Sequence, residues 1–247
     1  MGISGRLKQI SIQTLEIFKQ DPSLVKSLFD AEYLPESASW QRKIYLTGET
    51  AEILQQEARK AFGNLPNSSQ QTQNYDWKAL QQQFIAEWET PELDLEKLYP
   101  ELTFLLAGYV PGYISSQWTI PELRTLANSQ NQQDFLSFLV IENSQWDGLP
   151  LVNAIGAGTE IGYSTSFGAV RYLETEEIRQ IVDGLILLSE SGFQERYTRE
   201  SEKAQPLSFI DWSEDEMIDW LIEYYNEIQA YYEDALSQQK AILLYLT

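Results

Sequence analysis

The chain has 247 residues, with 37 acidic side chains against 17 basic ones, a formal charge of −20, and neither histidine nor cysteine. Histidine is the usual general base near neutral pH and cysteine the strongest nucleophile, and together they supply most zinc sites, so triads, thiol chemistry and ordinary zinc hydrolysis are excluded. Carboxylate, hydroxyl, lysine or arginine chemistry remains, or none at all.

Ile3, Leu7 and Ile10 predict an opening strand, and Ser11 caps a short helix through Phe18. Asp21 and Pro22 have the N-cap and first-position chemistry of a second helix, with Leu24, Val25, Leu28 and Phe29 on one apolar face. Helical spacing recurs over 50–62, a polar loop follows over 63–74, and Trp77, Leu80, Phe84, Ile85 and Trp88 mark another helix ending before Pro91. Asp94 is expected to cap a helix carrying Leu95, Leu98, Leu102, Leu105 and Leu106. Pro100 requires that helix either to start later or to bend.

The stretch 109–148 has a short helix from Pro121 and an apolar run, Phe135 to Ile141, that fits strand or helix. Alternating glycine, hydroxyl and apolar residues from Leu149 to Leu173 predict strands and turns. A helix follows from Thr175, with Ile178, Ile181, Val182, Leu185 and Leu188 inward and Gly192 beyond its end. Ser213 and Glu216 form a capping-box pattern before the longest helix, whose buried stripe is Met217, Leu221, Tyr225, Ile228 and Tyr232. Tyr224 and Tyr231 fall at the stripe's edge, and all four of these tyrosines are expected to be core with wet hydroxyls. Ala241 to Leu246 closes the chain as a strand. Helices outweigh strands without regular alternation, which predicts an α+β fold: amphipathic helices on a mixed or antiparallel sheet that includes the C-terminal strand.

The chemistry-bearing patterns are few. Gly156, Gly158 and Gly162 in AIGAGTEIG resemble a dinucleotide-binding turn, but the spacing is one residue too long and no helix pattern follows, so a bulged strand connection is expected. Asp211, Ser213 and Asp215 sit like calcium-loop ligands, yet Glu216 stands where the loop needs glycine, and the acids serve a helix start instead. Glu216, Asp219, Glu223 and Glu227 run down one helical stripe, a solvated face or a surface for a basic partner. Arg171 in FGAVRYL is either an anion clamp or half of an internal ion pair. No catalytic residue, metal or cofactor is assigned.

Several segments together resemble the YfbM-like family of bacterial proteins, a domain of unknown function. They are the opening MGISGRLKQIS, LDLEKLYPELTFLLAG at 93–108, FGAVRYL at 167–173, Phe209 to Trp212, and the last helix and strand. Tyr99 and Thr103 stand where that family's block carries a Trp and a His. A proton transfer by that histidine is therefore closed to this chain. The resemblance implies one compact mixed domain over 1–247, with looser or inserted segments at about 31–92 and 109–147, and brings no established activity.

The charge repels phosphate backbones and anionic lipids, and attracts a basic partner over about 8 Å at physiological salt. No stretch approaches the roughly 20 apolar residues of a membrane span, and residues 1–10 lack a signal-like apolar core, so a cytoplasmic protein is expected. The leading expectation is a non-enzymatic acidic interaction protein, masking a basic partner as immunity or inhibitor proteins do. The alternative is a small-molecule binder or carboxylate hydrolase with a site near Arg171, Tyr172, Tyr99, Thr103 and Gly168. Oligomeric state is left open.

Overall fold

The computed structural model describes residues 3–34, 37, 75–107, 149–155, 158–204, 211–214 and 216–247. The readings made over 50–74 and 109–148, and those of Gly156 and Asp215, lie outside them. The chain divides into two compact units, Met1–Ile12 with Glu92–Thr247, and Gln13–Pro91.

The first unit is α+β. Five antiparallel strands, β1 (Gly5–Ile10), β2 (Glu92–Asp94), β3 (Thr159–Thr165), β4 (Gly168–Leu173) and β5 (Ala241–Leu246), lie in the order β2-β1-β5-β4-β3. The C-terminal strand is thus the middle of the sheet, and all six of its residues are buried. That position explains AILLYL, an unbroken apolar run in place of the in–out alternation of a half-wet strand.

The described helices of this unit are α4 (Tyr99–Ala107), α5 (Leu149–Asn153), α6 (Thr175–Ala204) and α7 (Met217–Ser237), the first three described helices of the chain belonging to the second unit. Leu7, Leu173, Ile242, Leu244 and Leu246 of the sheet share one core with Leu102 and Leu105 of α4, Ile178 and Leu185 of α6, and Leu221 and Ile228 of α7. The predicted inward stripe of α7, Met217 through Tyr232, is buried throughout.

Four expectations for this unit are corrected. Asp94 ends β2 and caps no helix: its Oδ1 accepts from Glu96 N at 2.8 Å, and α4 begins at Tyr99, with Pro100 in the first turn where a missing N–H costs nothing. Leu149–Asn153 is a short helix where strands and turns were expected. The Ser213–Glu216 capping box does not form. Ser213 donates its hydroxyl to Asp211 Oδ1 at 2.6 Å, a local turn that outcompetes the cap, and no side chain caps the helix at Glu216. Tyr225 and Tyr232 of α7 do not turn wet hydroxyls outward: Tyr225 donates to Leu185 O at 2.7 Å and Tyr232 to Ala154 O at 2.6 Å, both buried.

The α6 span is broken at Ser189, whose φ of 58° and ψ of 162° are non-helical. Ser189 Oγ accepts from Gly192 N at 3.3 Å, so Ser189 serves as the N-cap of a second helical segment, with Glu190 favourably placed in its first turn.

The described part of the second unit is helical: α1 (Ile12–Gln20), α2 (Leu24–Asp30), a 3-10 turn (Ala31–Tyr33) and α3 (Trp77–Trp88). Asp21 and Pro22 do not open α2 as expected: it begins at Leu24 with Ser23 at its N-cap, and Asp21 Oδ1, three residues upstream, accepts from Ser23 N and Oγ at 3.2 and 2.5 Å in a local turn. Asp76 caps α3 through Ala79 N at 3.2 Å. Phe18 and Phe84 meet at 5.5 Å between centroids, and Thr14 donates to the buried Glu87 at 2.7 Å.

Candidate functional site

Arg171 lies in β4 opposite Leu244 of β5 and Glu160 of β3. Cross-strand partners share a face, so its side chain is carried onto the apolar face of the sheet and is only 3% exposed. A guanidinium cannot shed its charge there and needs internal partners. Its Nη2 meets Glu160 Oε1 at 2.6 Å and its Nη1 donates to Gly158 O at 3.1 Å. Glu160 stays half exposed, so the ion pair runs from a dry cation to a wet carboxylate.

The glycines of this segment turn the chain. Gly158 has a φ of 115°, and a Cβ there would lie 2.9 Å from Tyr172 O. Gly162, with a φ of 86°, falls where the β3–β4 register shifts between Glu160 and Ser164. This is the bulged connection expected from the spacing.

The other members of the candidate site are spread over the unit. Tyr172, next to Arg171 in the strand, points to the opposite face and is half buried. Gly168 opens β4 at the hairpin turn. Tyr99 and Thr103 are one turn apart on α4, with the buried Thr103 Oγ1 donating to Tyr99 O at 2.6 Å. Tyr99 packs on the sheet at Gly5, where a Cβ would lie 2.7 Å from Tyr99 Cβ. Gly5 is in β1, two strands from Arg171. Burial, then the charge of Glu101, raises the Tyr99 phenol pKa. Thr103, in the place of the family's histidine, thus closes a hydrogen bond within its own helix.

Glu216, Asp219, Glu223 and Glu227 are all exposed along α7, with Trp220, 39% exposed, among them. Just before the helix, the hydroxyl and then the backbone N–H of Ser213 hold Asp211 below its ordinary carboxylate range. Burial, followed by the charges of Glu96, Glu227 and Asp94, pushes the Tyr224 phenol up to about 12.

Two polar clusters went unseen in the sequence. Arg6 bridges Glu92 Oε1 at 2.6 Å and Asp94 Oδ2 at 2.8 Å, and Tyr245 donates to Glu92 Oε2 at 2.7 Å. Burial works against the Arg6 charge, but the hydrogen bond and charge of Glu92, with Asp94 and Tyr245, outweigh it and raise its pKa. The available signal was the i, i+2 spacing of Glu92 and Asp94, which puts both on one face once 92–94 is read as a strand. In the second cluster, Arg196 Nη1 donates to Leu105 O at 2.7 Å and to Leu106 O, placing a cation on carbonyls in the last turn of α4.

Among the described residues no three His, Cys, Asp or Glu side chains are grouped to hold a metal ion, and no helix is long and apolar enough to cross a membrane.

A structure described as that of a protein of unknown function, YfbM from Escherichia coli, is 10% identical with a TM-score of 0.49, the match covering 99% of each chain. No curated protein matches. A family model described as a domain of unknown function (DUF1877) matches residues 120–245. That is just over half of the chain, so the protein belongs to this family, as its YfbM-like segments suggested.

Proposed function

We propose that this chain is a non-enzymatic interaction protein that binds and masks a basic protein partner, in the manner of immunity or inhibitor proteins. The supporting observation is the exposed row Glu216, Asp219, Glu223 and Glu227 on α7, in a chain of charge −20. Four carboxylates at spacings of three and four repel one another, and a partner's Lys or Arg side chains relieve that repulsion. Each exposed pair contributes little by itself, so the row acts through encounter rate and salt-dependent complementarity. The same charge disfavours nucleic acid and anionic membrane surfaces as partners. A reducing, cytoplasmic location fits the missing cysteines. The other reading, a small-molecule binder or carboxylate hydrolase near Arg171, draws no support from a guanidinium already held by Glu160 and Gly158.

The test is a pull-down at low and high salt, using wild type and a variant with Glu216→Gln, Asp219→Asn, Glu223→Gln and Glu227→Gln. The expected result is a basic protein recovered by wild type, weakened by salt and by the four substitutions together. Recovery of no basic protein, or binding indifferent to salt, overturns the proposal.

A further inference from the structure

Trp220, Tyr224 and Glu227 of α7 follow one another at spacings of four and three and so share one stripe of the helix. The rings of Trp220 and Tyr224 meet edge to face, 5.9 Å apart at 61°. Trp220 is largely open to water, whereas Tyr224 is only 8% exposed. A phenol so buried ordinarily hydrogen-bonds to the protein, as those of Tyr225, Tyr232 and Tyr245 do. Among the described residues the Tyr224 hydroxyl has no such partner.

Carboxylates from two elements surround that hydroxyl. α7 packs against β2, and just beyond β2 Glu96 takes a left-handed φ of 49°. Its backbone is pinned there, its N–H donating to Asp94 Oδ1 at 2.8 Å and its carbonyl accepting from Gly5 N at 2.9 Å. After burial, the charges of Glu96, Glu227 and Asp94 raise the Tyr224 phenol, and no cation among the described residues offsets them. Asp94 is engaged by Arg6, which Glu92 also holds. Lys97, exposed next to Glu96, forms no ion pair among the described residues, nor do Glu96 and Glu227.

The open face of an indole and two unpaired carboxylates all select positive charge, and the phenol oxygen adds an acceptor for an N–H group. A quaternary ammonium would leave those acceptors unpaired, while a guanidinium stacks on indole and meets carboxylates with its planar fork. We propose that Trp220, Tyr224, Glu96 and Glu227 form a binding site for an alkylguanidinium group, whether on a free small molecule or on an arginine side chain. This goes beyond the basic-partner reading and stands without it, since the site reads the cation and not what carries it.

The test is an NMR titration of the nitrogen-15-labelled protein at constant ionic strength with n-butylguanidinium, and with n-butylurea as its uncharged counterpart. The Trp220 indole N–H resonance is assigned by its loss in Trp220→Phe. Glu96→Gln with Glu227→Gln removes the site's charges, and Glu195→Gln with Glu233→Gln removes as many from exposed positions on α6 and on the far side of α7. The expected result is a saturable shift of the Trp220 indole with butylguanidinium and none with butylurea, weakened at least about fivefold by the first pair and less than about twofold by the second. Equal weakening by both pairs means attraction to net charge alone and overturns the proposal. Equal binding of butylurea, or no saturable shift, overturns it too, the second leaving water as the partner of the Tyr224 hydroxyl. Acetyl-Gly-Arg-Gly-amide separates the sources within a supported site: tighter binding than butylguanidinium assigns it to a protein-borne arginine, weaker binding to a free guanidine.

Discussion

The phenol of Tyr245 donates to Glu92 Oε2 at 2.7 Å across 153 residues of sequence, tying the central strand β5 to the edge strand β2 over β1. The other oxygen of Glu92 takes Arg6 from the intervening strand at 2.6 Å. Tyr245→Phe is expected to cost about 1 kcal/mol in urea denaturation, since it removes one hydrogen bond to a carboxylate that Arg6 still serves. A double-mutant cycle of Arg6 and Glu92 should return a coupling of about 1 kcal/mol or less, because both side chains keep part of their hydration and Asp94 also holds Arg6. A cycle reading zero would make the clip incidental.

Tyr232 and Tyr225 donate to carbonyls that have no route to water. Replacing either by phenylalanine leaves Ala154 O or Leu185 O without its phenol, and each change is expected to cost about 1–3 kcal/mol. Chemical denaturation measures both, and a loss below about 0.5 kcal/mol at either position would contradict the dry setting of these hydroxyls.

Ser189 joins two opposing contributions: a strained backbone and an N-cap hydroxyl on Gly192 N. Ser189→Ala removes the cap and keeps the strain, so a loss of about 1 kcal/mol is expected. Ser189→Gly loses only a few tenths through the cap while relieving strain of about 1–3 kcal/mol, so a net gain is expected. In an unbroken helix the ranking is reversed, alanine exceeding glycine by about 1 kcal/mol. Thermal denaturation of the two variants decides between a true break and a continuous helix.

Gly5→Ala is expected to destabilise by about 1–3 kcal/mol, since the new methyl would lie 2.7 Å from Tyr99 Cβ. Neither carbon is the free end of a flexible side chain, so α4 must shift to make room. A neutral result in thermal denaturation would mean that α4 does not rest on β1 as described.

Stability should fall on the alkaline side. Burial, with nearby acids, raises the phenol pKa of Tyr99, Tyr197, Tyr225 and Tyr224, the last to about 12 against an ordinary 10. Tyr231 and Tyr232 are raised further by burial and their neighbours. Below pH 10 the phenols are protonated in both states and this stability is whole. As pH rises from 10 through the folded values, the unfolded chain ionises first and stability is lost. Chemical denaturation midpoints should therefore drop between pH 10 and about 12, with tyrosine absorbance changing late and together with unfolding. Early, non-cooperative ionisation of Tyr224, Tyr231 and Tyr232 would contradict their burial.

The local choices were legible wherever one segment carries its whole signal. The inward stripe of α7, the Trp77 to Trp88 spacing of α3, the unbroken apolar run of β5 and the odd glycine spacing before Gly162 each state their structure within a few residues, because helix period and strand burial are short-range properties. Readings failed where two local options competed. Ser213 turned to Asp211 instead of capping α7, and Asp94 served a turn and Arg6 instead of opening α4.

By itself the sequence determined the α+β class, the apolar faces, the family resemblance and the exclusion of imidazole and thiol chemistry, since these depend on composition and near-neighbour pattern. The tertiary structure alone decided that Arg171 faces Glu160 and Gly158, that Glu92 joins Arg6 to Tyr245, that Tyr99 lies on Gly5, and that Glu96 and Glu227 flank Tyr224. Each of those outcomes depends on strand register and helix placement, which the whole core sets at once and no single segment encodes.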